Sequence, residues 1–197
     1  MYAAAVLVGA YLMGSVPTGL WVSRVVAQRD IRLMGDGNMG ARNVSRNLGV
    51  GAGVLVAVID FCKGAFAVLL AQTAGLPLGW QMAAGTSAVL GHDFPVFAGF
   101  HGGQGFASTC GVFLALMPLE TAIGLLAFAF VYALSHHSDL SSGSGMGLTF
   151  LLGILLGRPW PLLLYVVIMF LLIPAKTFLL DAPHRQQVQH QRQRIDR

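Results

Sequence analysis

The stretch GVGAGVLVAVIDFCKGAFAVLLAQTA, residues 49–74, decides the fold of this 197-residue chain. It is almost entirely apolar, and as a helix it is longer than the roughly 30 Å hydrocarbon core of a bilayer. Its charged residues are Asp60 and Lys63, and an isolated charge at that depth is costly. Because the two lie three positions apart on one helix, we expect them to pair with each other or to face a polar cavity. A structural ion pair and a functional pair explain this spacing equally well.

The rest of the chain has the same apolar character. Hydrophobic residues make up 55% of the sequence and charged residues only 10%, and the mean hydropathy is +0.69. These values exclude an ordinary soluble domain and indicate an integral membrane protein. The sequence lacks the alternation typical of barrel strands, so we predict an all-α bundle of about seven transmembrane helices, several of them short. This bundle is one domain over residues 1–181, followed by a basic tail at residues 182–197.

Positive charge is concentrated in residues 24–46 and in residues 185–197. By the positive-inside rule both segments face the cytoplasm, against anionic lipid headgroups. An arginine-rich tail beside a membrane indicates a topology anchor, and no nucleic acid is predicted as a partner. Because the two basic segments share a side, the number of spans must be odd.

The number of spans depends on two long apolar stretches: about five if each stretch is one long helix, and about seven if each forms two shorter ones. Residues 106–134 and residues 146–180 are each too long for one upright helix and short for two. Pro118 lies in the middle of the first stretch and Arg158 in the middle of the second. Proline and charge suit a turn better than a helix interior, so we predict a hairpin in each stretch. Residues 136–144 then form a polar loop on the cytoplasmic side.

Two glycine-rich polar segments interrupt the apolar background: the first segment, GDGNMGARN at residues 35–43, and the second segment, GFHGGQG at residues 99–105. Glycine exposes backbone N–H groups and allows positive φ angles, so such segments can wrap an anion. Because residues 78–100 cross back, both segments lie on one side and can meet there to bind phosphate. The first segment also fits G-x-G-x-x-G, but no strand precedes it, which excludes a dinucleotide site. A basic loop that only sets topology is the alternative for the first segment.

Histidine and cysteine are present without the spacing of a metal site, so no metal is predicted. Cys62 and Cys110 fall inside apolar stretches and are interpreted as packing residues. His92 and Asp93 interrupt the third predicted span, where they can act as a base or cap a broken helix.

Taken in order, the motifs of the chain resemble those of the PlsY family, the bacterial acyl-phosphate-dependent glycerol-3-phosphate acyltransferases. The match covers roughly residues 10–111 and thins out from residue 113 onward. The motifs that carry it are GSVPTG at residues 14–19, the segment from Asp30 to Arg46, DFCKG at residues 60–64, GHDFPVF at residues 91–97 and GGQG at residues 102–105.

The resemblance implies a seven-helix enzyme of the bacterial cytoplasmic (inner) membrane, with its active site on the cytoplasmic side. Such an enzyme transfers the acyl group of an acyl phosphate to the 1-hydroxyl of glycerol 3-phosphate, giving lysophosphatidic acid and phosphate without metal or cofactor. The implied partners are these two substrates, the membrane lipids and an enzyme that forms acyl phosphate. Two alternatives stay open. One is a catalytically impaired or altered-substrate paralogue that binds a phosphorylated lipid precursor, and the other is a small transporter, suggested by Asp60 and Lys63.

The resemblance also assigns roles to residues. The catalytic candidates are His184, Gln104 and Ser142, and the proton of the attacking hydroxyl passes either to His184 or to a phosphate oxygen of a substrate. The predicted phosphate- and substrate-binding residues are Gly35, Asp36, Gly37, Asn38, Gly40, Arg42, Asn43, Arg46, His92, Gly102, Gly103 and Gly105.

The chain departs from the family pattern at positions where charge matters. The family usually reads Gly-Ser-Gly-Asn where Asp36 stands here, Ala-Thr-Asn where Arg42 stands, and Gly-Gly-Lys-Gly where Gln104 stands. That lysine is regarded as an active-site cation. An asparagine expected in the tail is Gln187 here, and the family's terminal Gly-Thr-Glu element is missing.

These replacements change the electrostatics of the predicted site. A carboxylate at Asp36 repels phosphate, and an amide at Gln104 keeps a hydrogen bond but loses the charge. We hypothesise that Arg42 compensates, either by pairing with Asp36 or by replacing the missing lysine.

Overall fold

The computed structural model describes residues 2–177, and these residues form an all-helical bundle without a strand, as predicted. The predicted tail at residues 182–197 lies outside the described part. The helices are α1 Tyr2–Gly14, α2 Thr18–Ala27, α3 Ala41–Leu48, α4 Val50–Thr73, α5 Leu78–Asp93, α6 Phe106–Leu116, α7 Pro118–Ser135, α8 Ser138–Leu155 and α9 Trp160–Lys176, with single 3-10 turns at Ile31–Leu33 and Val96–Ala98.

Several helices are long and apolar enough to cross a bilayer. By length and composition these are Tyr2–Ala27, which contains α1 and α2, then Val50–Thr73 and Pro118–Ser135, while α6 and α9 are shorter apolar helices. α3 is short and polar. When α1 and α2 are taken as one interrupted segment and α3 is set apart, residues 2–177 contain seven longer helical segments, the number predicted.

Both predicted turns occur. α7 begins at Pro118, because proline at the first helical position loses no hydrogen bond. α8 and α9 are separated by a turn that contains Gly157, at a φ of 66°, and Arg158. The Glu120 carboxylate is fully buried and accepts a hydrogen bond from Arg158 Nε at 2.5 Å. This ion pair joins the two turns at the end of the bundle opposite the glycine-rich segments.

The polar loop predicted at residues 136–144 is wrong, because α8 already begins at Ser138. His136 and His137 alone separate α7 from α8. The Ser142 hydroxyl donates to the Ser138 carbonyl oxygen at 2.7 Å, so the serine-rich start of α8 satisfies its side chains within the helix. Polar composition here indicates a helix end exposed to solvent rather than a loop.

α4 and α6 pack with their backbones in direct contact. A Cβ added at Gly64 would lie 1.9 Å from the Ser108 carbonyl oxygen, and one at Gly111 would lie 1.9 Å from the Phe61 carbonyl oxygen. Only glycine allows this approach. The contact lets the Ser108 hydroxyl donate to the Asp60 carbonyl oxygen at 2.9 Å, which fixes the polar residues of α4 beside α6.

Candidate functional site

The flanks of the two glycine-rich segments are in contact at one end of the bundle. Arg32 Nη1 donates to the Ala98 carbonyl oxygen at 3.4 Å. Ala98 is buried in one apolar cluster with Met39 of the first segment and with Ile31 and Val44, which flank that segment. The expectation that the two segments meet is therefore confirmed at their flanks.

Asn43 organises the first segment. Its side chain is 2% exposed, and its Nδ2 donates to the carbonyl oxygens of Met34 at 3.0 Å and Asn38 at 2.8 Å. Its Oδ1 accepts from the backbone N–H of Asp36 at 3.2 Å and from Asn47 Nδ2 at 2.9 Å. One buried amide thus holds the backbone of the whole segment.

Two further side chains of the first segment bond to its own backbone. Asp36 Oδ1 accepts from the Asn38 N–H at 3.0 Å, and Asn38 Oδ1 accepts from the Gly40 N–H at 2.6 Å. Gly40 in turn precedes the first residue of α3. Gly35 and Gly37 adopt positive φ angles of 53° and 76°, which glycine tolerates without strain.

Arg42 pairs with a residue from another part of the chain. Its Nη2 lies 2.9 Å from Asp139 Oδ1 on α8, and both side chains are exposed. The hypothesis that Arg42 pairs with Asp36 is therefore wrong, because the Asp36 carboxylate turns back onto its own loop. Arg46, one turn further along α3, is exposed.

Asp30 compensates part of the positive charge at this end. Its carboxylate accepts from Arg32 Nη2 at 2.7 Å and lies 3.5 Å from Arg24 Nη2. The hydrogen bond from Arg32 holds the pKa of the Asp30 carboxyl below its usual value, so Asp30 is charged at neutral pH. Arg42 and Arg46 are then the cations that α3 presents beside the first segment.

A buried polar cluster lies beneath the segments, formed by Thr18 of α2, Asp60 and Lys63 of α4, and His92 of α5. Asp60 Oδ1 accepts from Lys63 Nζ at 2.8 Å and from Thr18 Oγ1 at 2.9 Å, and His92 Nδ1 lies 3.5 Å away. Lys63 Nζ also donates to the Val16 carbonyl oxygen at 2.5 Å. The predicted Asp60–Lys63 pair is confirmed, and it is embedded in protein partners. Thr18 was not predicted, although a threonine after Pro17 in a broken span is a usable signal.

His92 connects this cluster to the second segment. The Gly103 N–H donates to the His92 carbonyl oxygen at 3.2 Å. A Cβ at Gly103 would lie 2.1 Å from His92 Nε2, and one at Gly102 would lie 2.1 Å from the His92 carbonyl oxygen. The glycines of the second segment therefore let its backbone lie directly on the end of α5.

Lys176, in the last turn of α9, reaches the second segment from the other side. It is 7% exposed, its Nζ donates to the Gly103 carbonyl oxygen, and Nζ lies 5.3 Å from the centre of the Phe94 ring. A pocket of about 270 Å³ between α5 and α9 ends at Lys176 and Asp93 and is otherwise lined mainly by apolar side chains, among them Val89, Leu90, Met169 and Leu172. Sequence reasoning missed Lys176: its place at the end of an apolar helix is visible in the sequence, but its contact with Gly103 is not.

Two of the three catalytic candidates, Gln104 and Ser142, lie within the described residues. Gln104 lies half-buried within the second segment. Ser142 lies on α8, about one turn beyond Asp139, and its hydroxyl is bonded within the helix. His184 and Gln187 lie outside the described residues. Across residues 2–177, no group of three or more His, Cys, Asp or Glu side chains is placed to hold a metal ion.

Known proteins resemble this chain over most of its length. The glycerol-3-phosphate acyltransferase family matches residues 4–192. A glycerol-3-phosphate acyltransferase of Listeria monocytogenes is 38% identical over 166 residues, which is 83% of each chain. One solved structure that resembles this chain is the crystal structure of PlsY, an integral membrane glycerol 3-phosphate acyltransferase, in its glycerol 3-phosphate form. Its TM-score is 0.82 and its identity 32%, and the match covers 90% of this chain and 88% of the PlsY chain. The lysophosphatidic acid form has a TM-score of 0.80 and 31% identity, with coverage of 90% and 89%.

Proposed function

Because this chain belongs to the glycerol-3-phosphate acyltransferase family, we propose that it transfers the acyl group of an acyl phosphate to the 1-hydroxyl of glycerol 3-phosphate. One observation carries the proposal. Two glycine-rich segments meet at one end of an apolar bundle, and cations on α3 and α9 lie beside them. The arrangement suits two phosphate groups held side by side at a membrane surface.

The chemistry requires one bond to form and one to break. The oxygen of the 1-hydroxyl attacks the acyl carbonyl carbon and forms the ester bond. The bond from that carbon to the phosphate oxygen breaks, and phosphate leaves with the electron pair. The hydroxyl proton passes to a phosphate oxygen or to His184, and the products are lysophosphatidic acid and inorganic phosphate.

The acyl phosphate is already activated, so the protein has to position the reactants and neutralise charge. When the protein holds the 1-hydroxyl against the acyl carbonyl carbon, the reaction of the two substrates becomes effectively unimolecular, which lowers its barrier. Cations beside the departing phosphate stabilise the charge that develops on it. Arg42 and Arg46 present guanidinium groups, which match phosphate oxygens in pairs. Gly102, Gly103 and Gly105 let the backbone approach a ligand closely.

The proposal includes the membrane in which the protein lies and the source of its acyl phosphate. Arginines between residues 24 and 46 support an orientation in which this end of the bundle faces the cytoplasm, and the bacterial relatives support a location in the inner membrane. Glycerol 3-phosphate, being charged and water-soluble, reaches the site from that side. Acyl phosphate is a reactive anhydride, so an acyl-phosphate-forming enzyme is the proposed partner, and the acyl chain enters from the surrounding lipid.

The impaired-paralogue alternative keeps one specific observation in its favour. The Asp36 carboxylate lies in the first segment and is not paired with Arg42, which contacts Asp139. The transporter alternative loses the feature that suggested it, because Asp60 and Lys63 are bonded to each other and to Thr18.

A single assay tests the proposal. Purified protein in lipid nanodiscs is mixed with palmitoyl phosphate and labelled glycerol 3-phosphate, and labelled lysophosphatidic acid and released phosphate are measured. We expect equimolar products from the wild type and from Arg29→Ala, an exposed arginine outside both segments that serves as the control. Product from Gln104→Lys but not from the wild type would support an impaired paralogue. No product from either protein would refute the proposed activity.

A further inference from the structure

The second segment contains no lysine or arginine to meet a phosphate group. Gln104 carries a neutral amide, and its neighbours Gly103 and Gly105 carry no side chain. A phosphate group carries about two negative charges near neutral pH, and hydrogen bonds from a charged donor are roughly twice as strong as neutral ones. A cation from another element would strengthen phosphate binding at this segment.

Lys176 brings an ammonium group to the backbone at this position. Its Nζ donates to the Gly103 carbonyl oxygen, which belongs to the peptide bond between Gly103 and Gln104. An ammonium group has three N–H donors and can bond a backbone carbonyl and a phosphate oxygen together.

We propose that Lys176 binds the phosphate of the acyl donor at the second segment and supplies the charge that Gln104 lacks. The inference rests on the proposed function, because it assigns one of the two phosphates of that reaction. The apolar pocket that ends at Lys176 favours the acyl donor over glycerol 3-phosphate, since an acyl chain can lie between α5 and α9. The other lysine of the sequence, Lys63, lies in the buried cluster with Asp60, whereas Lys176 lies against the second segment at the end of the apolar pocket.

The test separates the charge of Lys176 from its contact with the loop. Lys176→Gln keeps an N–H donor for the Gly103 carbonyl but removes the charge. We expect about a tenfold higher KM for palmitoyl phosphate, a smaller change in the KM for glycerol 3-phosphate, and a melting temperature close to that of the wild type. The exchange variant Gln104→Lys/Lys176→Gln returns the charge to the segment and should recover most of the loss. Unchanged KM for palmitoyl phosphate in Lys176→Gln would overturn the proposal, and so would a loss that the exchange does not recover.

A second variant keeps the test decisive if Lys176→Gln does not fold. Gln104→Lys alone places two ammonium groups at one peptide, where they repel, and we expect kcat/KM to fall about threefold. A gain of tenfold or more would show that Lys176 does not already supply a cation to this segment and would overturn the proposal.

Direct binding distinguishes failure of this inference from failure of the proposed reaction. A palmitoyl phosphonate, which cannot transfer its acyl group, is titrated into the wild type and into Lys176→Gln. Weaker binding by about tenfold in the variant supports the role of Lys176 even if neither protein forms product. Equal binding in an active protein would remove Lys176 from the site and leave the proposed reaction intact.

Discussion

The two glycine-rich segments have similar composition, but they are held in place in opposite ways. In the first segment the side chains of Asp36, Asn38 and Asn43 bond to the backbone of the same loop. The second segment has an internal side-chain bond, between His101 Nδ1 and the Gly99 carbonyl oxygen at 2.7 Å, and is otherwise held from outside by His92 of α5 and Lys176 of α9. The first is therefore a self-supporting loop that presents arginines, whereas the second depends on α5, which precedes it, and on α9, which is distant in sequence. A glycine-rich pattern alone does not reveal which kind of support a loop has.

The largest effect is expected at Asn43. Asn43→Ala leaves the carbonyl oxygens of Met34 and Asn38 without their donor and should cost about 3 kcal/mol of unfolding free energy. Asn47→Ala is the control, because the Asn47 side chain is exposed and bonds only to Asn43 among the contacts of the described residues. Denaturation in detergent, followed by circular dichroism, measures both. Equal losses in the two variants would mean that the first segment is not organised by Asn43.

Gly103→Ala should break the external support of the second segment. The new Cβ would lie 2.1 Å from His92 Nε2, so the ring or the segment must move. A displacement of this size near reacting groups lowers kcat/KM by about a hundredfold. Gly143→Ala, in α8 with open space around its Cα, controls for glycine replacement and should retain wild-type activity. Wild-type kinetics in Gly103→Ala would show that the contact with His92 is not needed.

Arg46→Ala tests whether the first segment binds the other phosphate. Losing one charged contact should raise the KM for glycerol 3-phosphate about tenfold and change the KM for palmitoyl phosphate less. Arg29→Ala should lack this effect, because Arg29 is not one of the arginines that α3 presents beside the first segment. Arg42→Ala belongs in the same series, since it tests whether Arg42 replaces the missing lysine. Total loss of transfer in Arg42→Ala would favour that role over the one inferred for Lys176.

The smallest effect is expected for the ion pair between the first segment and α8. Asp139→Asn removes the partner of Arg42, but exposed ion pairs contribute little to stability. The melting temperature should change by no more than about 1 °C. A larger fall at low salt that disappears at high salt would show that the pair holds α3 against α8.

The sequence allowed prediction of features that depend on neighbouring residues. The Asp60–Lys63 pair follows from helical spacing, and the turn at Pro118 follows from the chemistry of proline. α3 and the start of α8 were missed because their residues are polar. Polar residues are typical of loops as well as of helix ends in contact with solvent. Lys176 was missed because its partner lies 73 residues away in the chain, and no local pattern predicts such a contact.

The ion pair at the far end of the bundle has a consequence for biosynthesis. Glu120 leaves the ribosome 38 residues before Arg158, yet its carboxylate is fully buried in the finished bundle. Because a buried carboxylate needs a charged partner, the packing around Glu120 can be completed only after the turn before α9 has been made.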